Sequence, residues 1–236
     1  FRRVLFRSVL TGSATPRHVL ALTFTRDAAG ELKRRLRRFD LRTPIEAGTF
    51  HSVALRLLRD RAEAAGQAPP HVAVDRLRLV REVLTEGRLR LDASSVAADI
   101  DWARARLVPP GEYERALRAA KRRSTVPATR VPDLMAAYEQ LKRRRGVVDF
   151  DDLLERVAVA LDDDPAWADA VRWRFRHLFV DEAQDLNPLQ HRLLESIRAG
   201  RPDLCLVGDP RQAIYGWNGA DSTLLREIEQ IGRAHV

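Results

Sequence analysis

Three short apolar runs in this chain each stop on a polar cluster, and that punctuation limits the fold more than any other feature. Residues 19–24 (Val-Leu-Ala-Leu-Thr-Phe) run into Thr25-Arg26-Asp27, residues 175–180 stop at Asp181-Glu182, and residues 204–207 stop at Gly208-Asp209. Short apolar runs bounded by turn residues read as strands buried on both faces. Residues 45–49 read as a further short strand. Helical apolar patterns separate the strands, at residues 28–39, 50–65, 149–161 and 189–199. Thr25 or Asp27 is placed to cap the first of these helices. Strands alternating with helices predict an α/β fold with a parallel sheet. In such sheets ligands sit at the carboxyl ends of the strands, where all three polar clusters fall.

Residues 67–146 differ in character. Pro69-Pro70 opens the stretch, Pro109-Pro110-Gly111 breaks it, and Pro127 and Pro132 punctuate its end. Between them lie amphipathic, Arg-rich segments at 75–84, 93–106, 113–122 and 133–145, read as a helical insertion. The basic runs Lys121-Arg122-Arg123 and Lys142-Arg143-Arg144-Arg145 read in part as solvated helix faces, with some side chains placed to track phosphates.

With 236 residues, 45% of them hydrophobic, the chain suffices for one large domain or two modest ones. Lys plus Arg number 41 against 33 Asp plus Glu, a formal charge of +8. That balance favours a polyanion partner, nucleic acid first, although an Arg-rich proteome gives the same excess. The one cysteine, Cys205, excludes a disulfide framework and a cysteine metal cluster and reads as a small core hydrophobe. No apolar stretch approaches the roughly 20 residues of a membrane span, so the expected location is cytoplasmic. Residues 1–8 and 231–236 fit poorly with their neighbours and read as non-native ends.

Asp181 and Glu182 are adjacent on extended backbone, so their side chains leave in different directions. One carboxylate can hold Mg²⁺ while the other orients or deprotonates water, which suits nucleotide hydrolysis. A bare Asp-Glu pair reads as a solvated loop; the preceding apolar run and the following Gln184-Asp185 favour the chemical reading. Further along, Gln212 is a neutral amide able to bridge a phosphate and a carboxylate. Tyr215 and Trp217 follow it, and loop aromatics stack on unpaired bases for about 1–3 kcal/mol each; core packing is the alternative for both rings.

Five blocks carry a family resemblance. Residues 21–29 (Ala-Leu-Thr-Phe-Thr-Arg-Asp-Ala-Ala) resemble motif Ia of the UvrD/Rep/PcrA helicases of superfamily 1. Residues 48–52 (Gly-Thr-Phe-His-Ser) look like the next DNA-contacting motif of that family. Residues 149–154 (Asp-Phe-Asp-Asp-Leu-Leu) are similar to the segment that returns from its inserted domain. Residues 180–190 match motif II, and residues 207–220 match motif III. The blocks stand in the family's order. The resemblance implies a P-loop NTPase (RecA-like) parallel sheet, here incomplete, with an inserted all-helical subdomain. The divisions would be 9–66 and 147–230 for the motor domain and 67–146 for the insertion.

The resemblance also implies roles. Asp181 would bind Mg²⁺, Glu182 would act as catalytic base, and Gln212 would sense the γ-phosphate of ATP, with Asp209 beside them. Phe24, Thr25, Thr49, His51, Tyr215, Trp217 and Asn218 would lie along single-stranded DNA, near its junction with duplex. Phe24 has core packing as its alternative, and His51 a capping or buried role. Asp151 and Asp152 read as a solvated first helical turn rather than as catalytic groups. Asn218 departs from the family, many of whose members carry Arg there, so that contact does not transfer strictly.

A phosphate-binding loop, G-x-x-x-x-G-K-[ST], is needed for such an ATPase. The three lysines, Lys33, Lys121 and Lys142, lie in no such pattern. The resemblance places that loop upstream of residue 1, so this stretch alone is expected not to hydrolyse ATP appreciably. The parent would be a 3′-to-5′ DNA translocase or helicase of repair or replication, bacterial and nucleoid-associated. The alternatives are the motor of a RecB/AddA-like helicase–nuclease, a DNA-binding module without catalysis, or a piece too incomplete to fold.

Overall fold

Strand β1 (Val19–Thr23) is buried along its whole length and organises the sheet. The computed structural model describes residues 5, 8–9, 11–37 and 43–212. Leu20 and Leu22 point into one apolar layer with Leu178 and Val180, while Val19 and Ala21 point into the opposite layer with Phe179. Strand side chains alternate between faces, so continuous burial means that both faces are covered, as parallel sheets require. β1 pairs in parallel with β2 (Glu46–Thr49) on one side and with β5 (His177–Val180) on the other. β5 pairs in parallel with β6 (Leu204–Leu206), giving the order β2-β1-β5-β6. The fold class is therefore α/β, as the sequence pattern implied.

On one face lie α2 (Phe50–Ala64), α7 (Phe150–Asp163), α8 (Pro165–Arg174) and α9 (Pro188–Arg198), which bring Phe50, Val53, Leu153, Val157, Leu189 and Leu193 onto Leu20 and Leu22. On the other face, α1 (Arg26–Leu36) contributes Leu32 and Leu36, joined by Ile45. A separate apolar cluster is built by α3 (Arg76–Glu86), α4 (Ala93–Ala105), α5 (Tyr113–Ala119) and α6 (Val131–Arg145). Two of its helices, α3 and α4, start on Asp side chains that accept from backbone N–H groups: Asp75 from Arg78 at 2.9 Å and Asp92 from Ser95 at 2.7 Å. α6 ends on Gly146 at φ 62°, a left-handed stop that suits glycine. A short parallel pair, β3 (His71–Val72) with β4 (Val147–Val148), closes the base of this segment. Among the described residues no helix is long and apolar enough to cross a membrane.

Several boundaries differ from the sequence pattern for identifiable reasons. α1 starts at Arg26 rather than residue 28, because Thr25 is the cap and accepts from the Ala28 N–H at 3.1 Å. β5 starts at His177 rather than 175, because the Phe175 N–H still donates to the Val171 carbonyl at the end of α8. Cys205 is half-buried rather than a full core residue, since among the described residues β6 has β5 as its sole sheet partner.

Candidate nucleotide and nucleic-acid site

Register brings the polar clusters together. Thr23 pairs with Thr49, Leu22 with Val180, and Val180 with Leu206, so the four strands end on neighbouring rungs. Past those ends the backbone remains knitted. The Asp181 N–H donates to the Leu22 carbonyl, Val207 to Val180, and Ala183 to Val207, each at 2.9 Å. Asp181 and Glu182 are thereby held at the carboxyl edge beside Gly208 and Asp209.

Glu182 is exposed and sits at φ 53°, ψ 41°, not on the extended backbone expected from the sequence but in the left-handed region that a residue with a side chain seldom adopts. The turn Ala183–Asp185 follows it. Gln184 in that turn is only 2% exposed. Its Nε2 donates to Glu182 Oε2 at 2.8 Å, and its Oε1 accepts from the Asp209 N–H at 3.1 Å. Asp209 in turn accepts from the Arg211 N–H at 2.9 Å and from Gln212 Nε2 at 3.0 Å. Asp181, Glu182, Asp209 and Gln212 therefore occupy one edge, with Gln184 between the first pair and the second. In the sequence Gln184 serves only to mark the acidic turn, with no role of its own. Its position two residues after Glu182, in a turn that meets a second strand end, was the available signal.

The candidate DNA residues of β1 and β2 follow the adjacent rungs. Phe24 is half-buried, its ring 5.7 Å from that of Phe50. Thr25 is exposed and caps α1. Thr49 is buried and caps α2, accepting from the Ser52 N–H at 3.2 Å. Thr49→Ala is expected to lower stability by about 1 kcal/mol, the usual value of such a cap, as read by denaturant unfolding. His51 packs edge-on against Phe150, centroids 5.9 Å apart. Burial lowers the His51 pKa, and the carboxylates of Asp151 and Asp149 offset part of that effect. His51 thus sits against the start of α7 rather than alone. Tyr215, Trp217 and Asn218 lie outside the described residues.

The start of α7 corrects the sequence reading. Asp152 is not a solvated first-turn residue. Asp149 and Asp152 form a reciprocal cap, Asp149 is 1% exposed, and Lys142, which the basic run had placed on a solvated face in part, is 2% exposed. Lys142 Nζ donates to Asp149 at 3.0 Å and to both oxygens of Asp152 at 2.7 Å. Arg104 Nη2 donates to Asp152 at 2.5 Å and Tyr138 Oη to Asp149 at 3.0 Å. Asp151 pairs with Arg76 at 3.4 Å. Burial raises the Asp149 pKa, but Arg104, Lys142 and Arg76 outweigh it and hold the carboxyl well below its usual range. Arg143, Arg144 and Arg145 do face solvent.

Chemically, the strand edge offers oxygen ligands alone: the carboxylates of Asp181, Glu182 and Asp209. No group of three or more His, Cys, Asp or Glu able to hold a metal occurs among the described residues. That donor set fits Mg²⁺, which is typically held by one or two carboxylates and completed by water and substrate phosphates.

The family model for the UvrD/REP helicase N-terminal domain matches residues 2–231. The chain belongs to the UvrD/REP helicase family. Its α/β sheet is accordingly of the P-loop NTPase type. Similar relatives include the ATP-dependent DNA helicase UvrD2 of Mycobacterium tuberculosis (strain H37Rv), 36% identical over 236 residues, covering 94% of this chain and 34% of that protein. The ATP-dependent DNA helicase PcrA of Bacillus subtilis (strain 168) is 31% identical over 225 residues, covering 91% of this chain and 29% of that protein. PcrA of Leuconostoc citreum is 30% identical over 224 residues, covering 91% and 29%. The chain thus spans about a third of the length of the curated relatives it matches.

Proposed function

We propose that this UvrD/REP family chain is the first motor region of an ATP-dependent DNA helicase that moves 3′-to-5′ on single-stranded DNA, loading near junctions with duplex. The observation that carries the reading is the shared strand edge: the carboxylates after β5 and the Thr49-Phe50-His51 junction of β2 with α2 flank the end of β1. Nucleotide and DNA would then sit two strands apart. Residues 67–146 would form the inserted subdomain between the two parts, 9–66 and 147–230, of the motor domain. The protein would work in the bacterial cytoplasm, at the nucleoid.

In this reading Asp181 holds Mg²⁺, which when bound neutralises phosphate charge. Glu182 accepts the proton of the attacking water, Gln212 contacts the terminal phosphate, and Asp209 fixes the Gln212 amide. Phe24, Thr25 and His51 face the strand, and Tyr215, Trp217 and Asn218 complete its path. Thr49 acts mainly through the helix it caps. That the similar relatives are ATP-dependent DNA helicases supports ATP dependence and DNA as the substrate class. The test is ATP turnover by the full-length gene product with and without single-stranded DNA. The expected result is turnover that rises on adding DNA. Tight strand binding with no turnover under either condition would sink the motor reading in favour of a passive DNA-binding module.

A further inference from the structure

We infer that Gln184 is a positioning residue that couples the Glu182 carboxylate to the loop 208–212, so that nucleotide contact at Gln212 and water activation at Glu182 are set by one buried amide. The inference rests on the nucleotide site proposed above and deepens it.

The orientation of this amide follows from its partners. The Asp209 backbone N–H can only donate, so the atom facing it at 3.1 Å is the amide oxygen. The NH₂ end therefore faces Glu182 Oε2, 2.8 Å away, and an ionised carboxylate can only accept. Both ends are satisfied in one flip state and neither in the other, which removes the usual ambiguity of amide placement. Gln184 is 2% exposed, so either bond, if broken, would leave a buried polar group unpaired.

The relay continues without a gap. Asp209 receives the Gln212 amide on its carboxylate at 3.0 Å and the Gln212 N–H on its carbonyl at 2.8 Å. Gly208 shows how closely the two segments approach. A Cβ there would lie 2.3 Å from Gln184 Oε1 and 2.9 Å from the backbone nitrogens of Ala183 and Gln184. The loop thus has no slack against the turn, and a shift at 208–212 moves Gln184 directly. At the far end Glu182 is held in left-handed backbone at φ 53°, so its side chain is aimed by fixed geometry on both sides. Few other side chains supply a donor and an acceptor in opposite directions at this reach: Glu loses the donor, Leu loses both, and Asn is one methylene short.

The experiment compares Gln184→Glu and Gly208→Ala with the parent protein in the full-length gene product. It reads DNA-stimulated kcat, KM for ATP, affinity for an oligo-dT probe, and thermal unfolding. Gln184→Glu keeps the acceptor for Asp209 and replaces the donor with a charge that repels Glu182. Gly208→Ala removes no hydrogen-bonding group and displaces Gln184. Both are expected to lower kcat by about 10- to 100-fold, the usual range for a group that orients a reacting side chain, with KM and oligo-dT affinity changed by less than about threefold. The ratio of stimulated to unstimulated turnover should fall as well. If kcat stays within about twofold of the parent in both variants while Glu182→Gln is inactive, the coupling role is overturned and the nucleotide site stands. If kcat, oligo-dT affinity and unfolding temperature all collapse together, Gln184 is a packing residue and the inference is likewise overturned. If Glu182→Gln itself turns over ATP normally, the site reading beneath the inference fails.

Discussion

Glu182→Gln is expected to lower DNA-stimulated ATP turnover of the full-length gene product by about 100- to 10,000-fold, the range associated with losing a positioned general base. The substitution is unusually clean here. Gln has the shape of Glu, and its amide oxygen can still accept from Gln184 Nε2, which donates to Glu182 at 2.8 Å. The left-handed backbone at φ 53° is unchanged in kind. What is lost is the capacity to take a proton. Because Glu182 is exposed and lies apart from the apolar layers, the unfolding temperature should not move measurably. Affinity for single-stranded DNA, which the proposed function assigns to the neighbouring strand ends, should hold as well. A variant that turns over ATP at the parent rate would remove Glu182 from the chemistry and leave the acidic turn as a solvated loop.

The second large effect is structural. Asp149→Asn is expected to destabilise the protein by about 3–5 kcal/mol, because it leaves Lys142 and Arg104 buried with part of their counter-charge gone. For a chain of this size that corresponds to a fall of roughly 6–20 °C in unfolding temperature. Asn caps helices about as well as Asp, so the start of α7 keeps its hydrogen-bonded cap and the loss isolates charge. The pH dependence has a definite sign. The Asp149 pKa is held below its unfolded value, so its contribution is fully present above about pH 4 and is lost as pH falls through the folded value. The difference between parent and variant should therefore be flat from about pH 5 to 8 and narrow only in acid. A constant small difference across that range would show that Asp149 carries no such load.

These two residues also show what a sequence reveals and what it hides. Asp181 and Glu182 were legible because an apolar strand delivers them to a sheet edge, and strand ends in parallel sheets are where ligands bind. Asp152 is not legible in that way, because an acidic residue in a first helical turn satisfies the helix dipole whether it faces water or a lysine. The partners that settle the matter, Lys142 and Arg104, stand on other helices, and periodicity carries no information across that distance. Lys142 was hidden for a related reason: it opens a run of four basic residues, of which the other three are exposed. Helix α8 is a different case: Asp164 as cap and Pro165 as first residue mark its start, but its buried residues are just Ala168 and Val171, too few to show a helical period. Gln184 lay in plain view, but its role depends on a backbone N–H from residue 209, and only the register of β5 with β6 brings the two together.

The placement of the helical segment has a consequence for how this sheet can assemble. β1 must find β5 across more than half of the chain, and the stretch from His71 to Val148 makes up roughly half of that separation. The entropy of closing a loop grows only with the logarithm of its length, about 0.6 kcal/mol for each doubling. Carrying a second apolar core inside the loop therefore burdens the central strand pairing by less than the loss of a single helix cap. The segment is tethered at both ends by the two-residue ribbon of β3 and β4, so such a core can grow or shrink there while the strand edge stays in register.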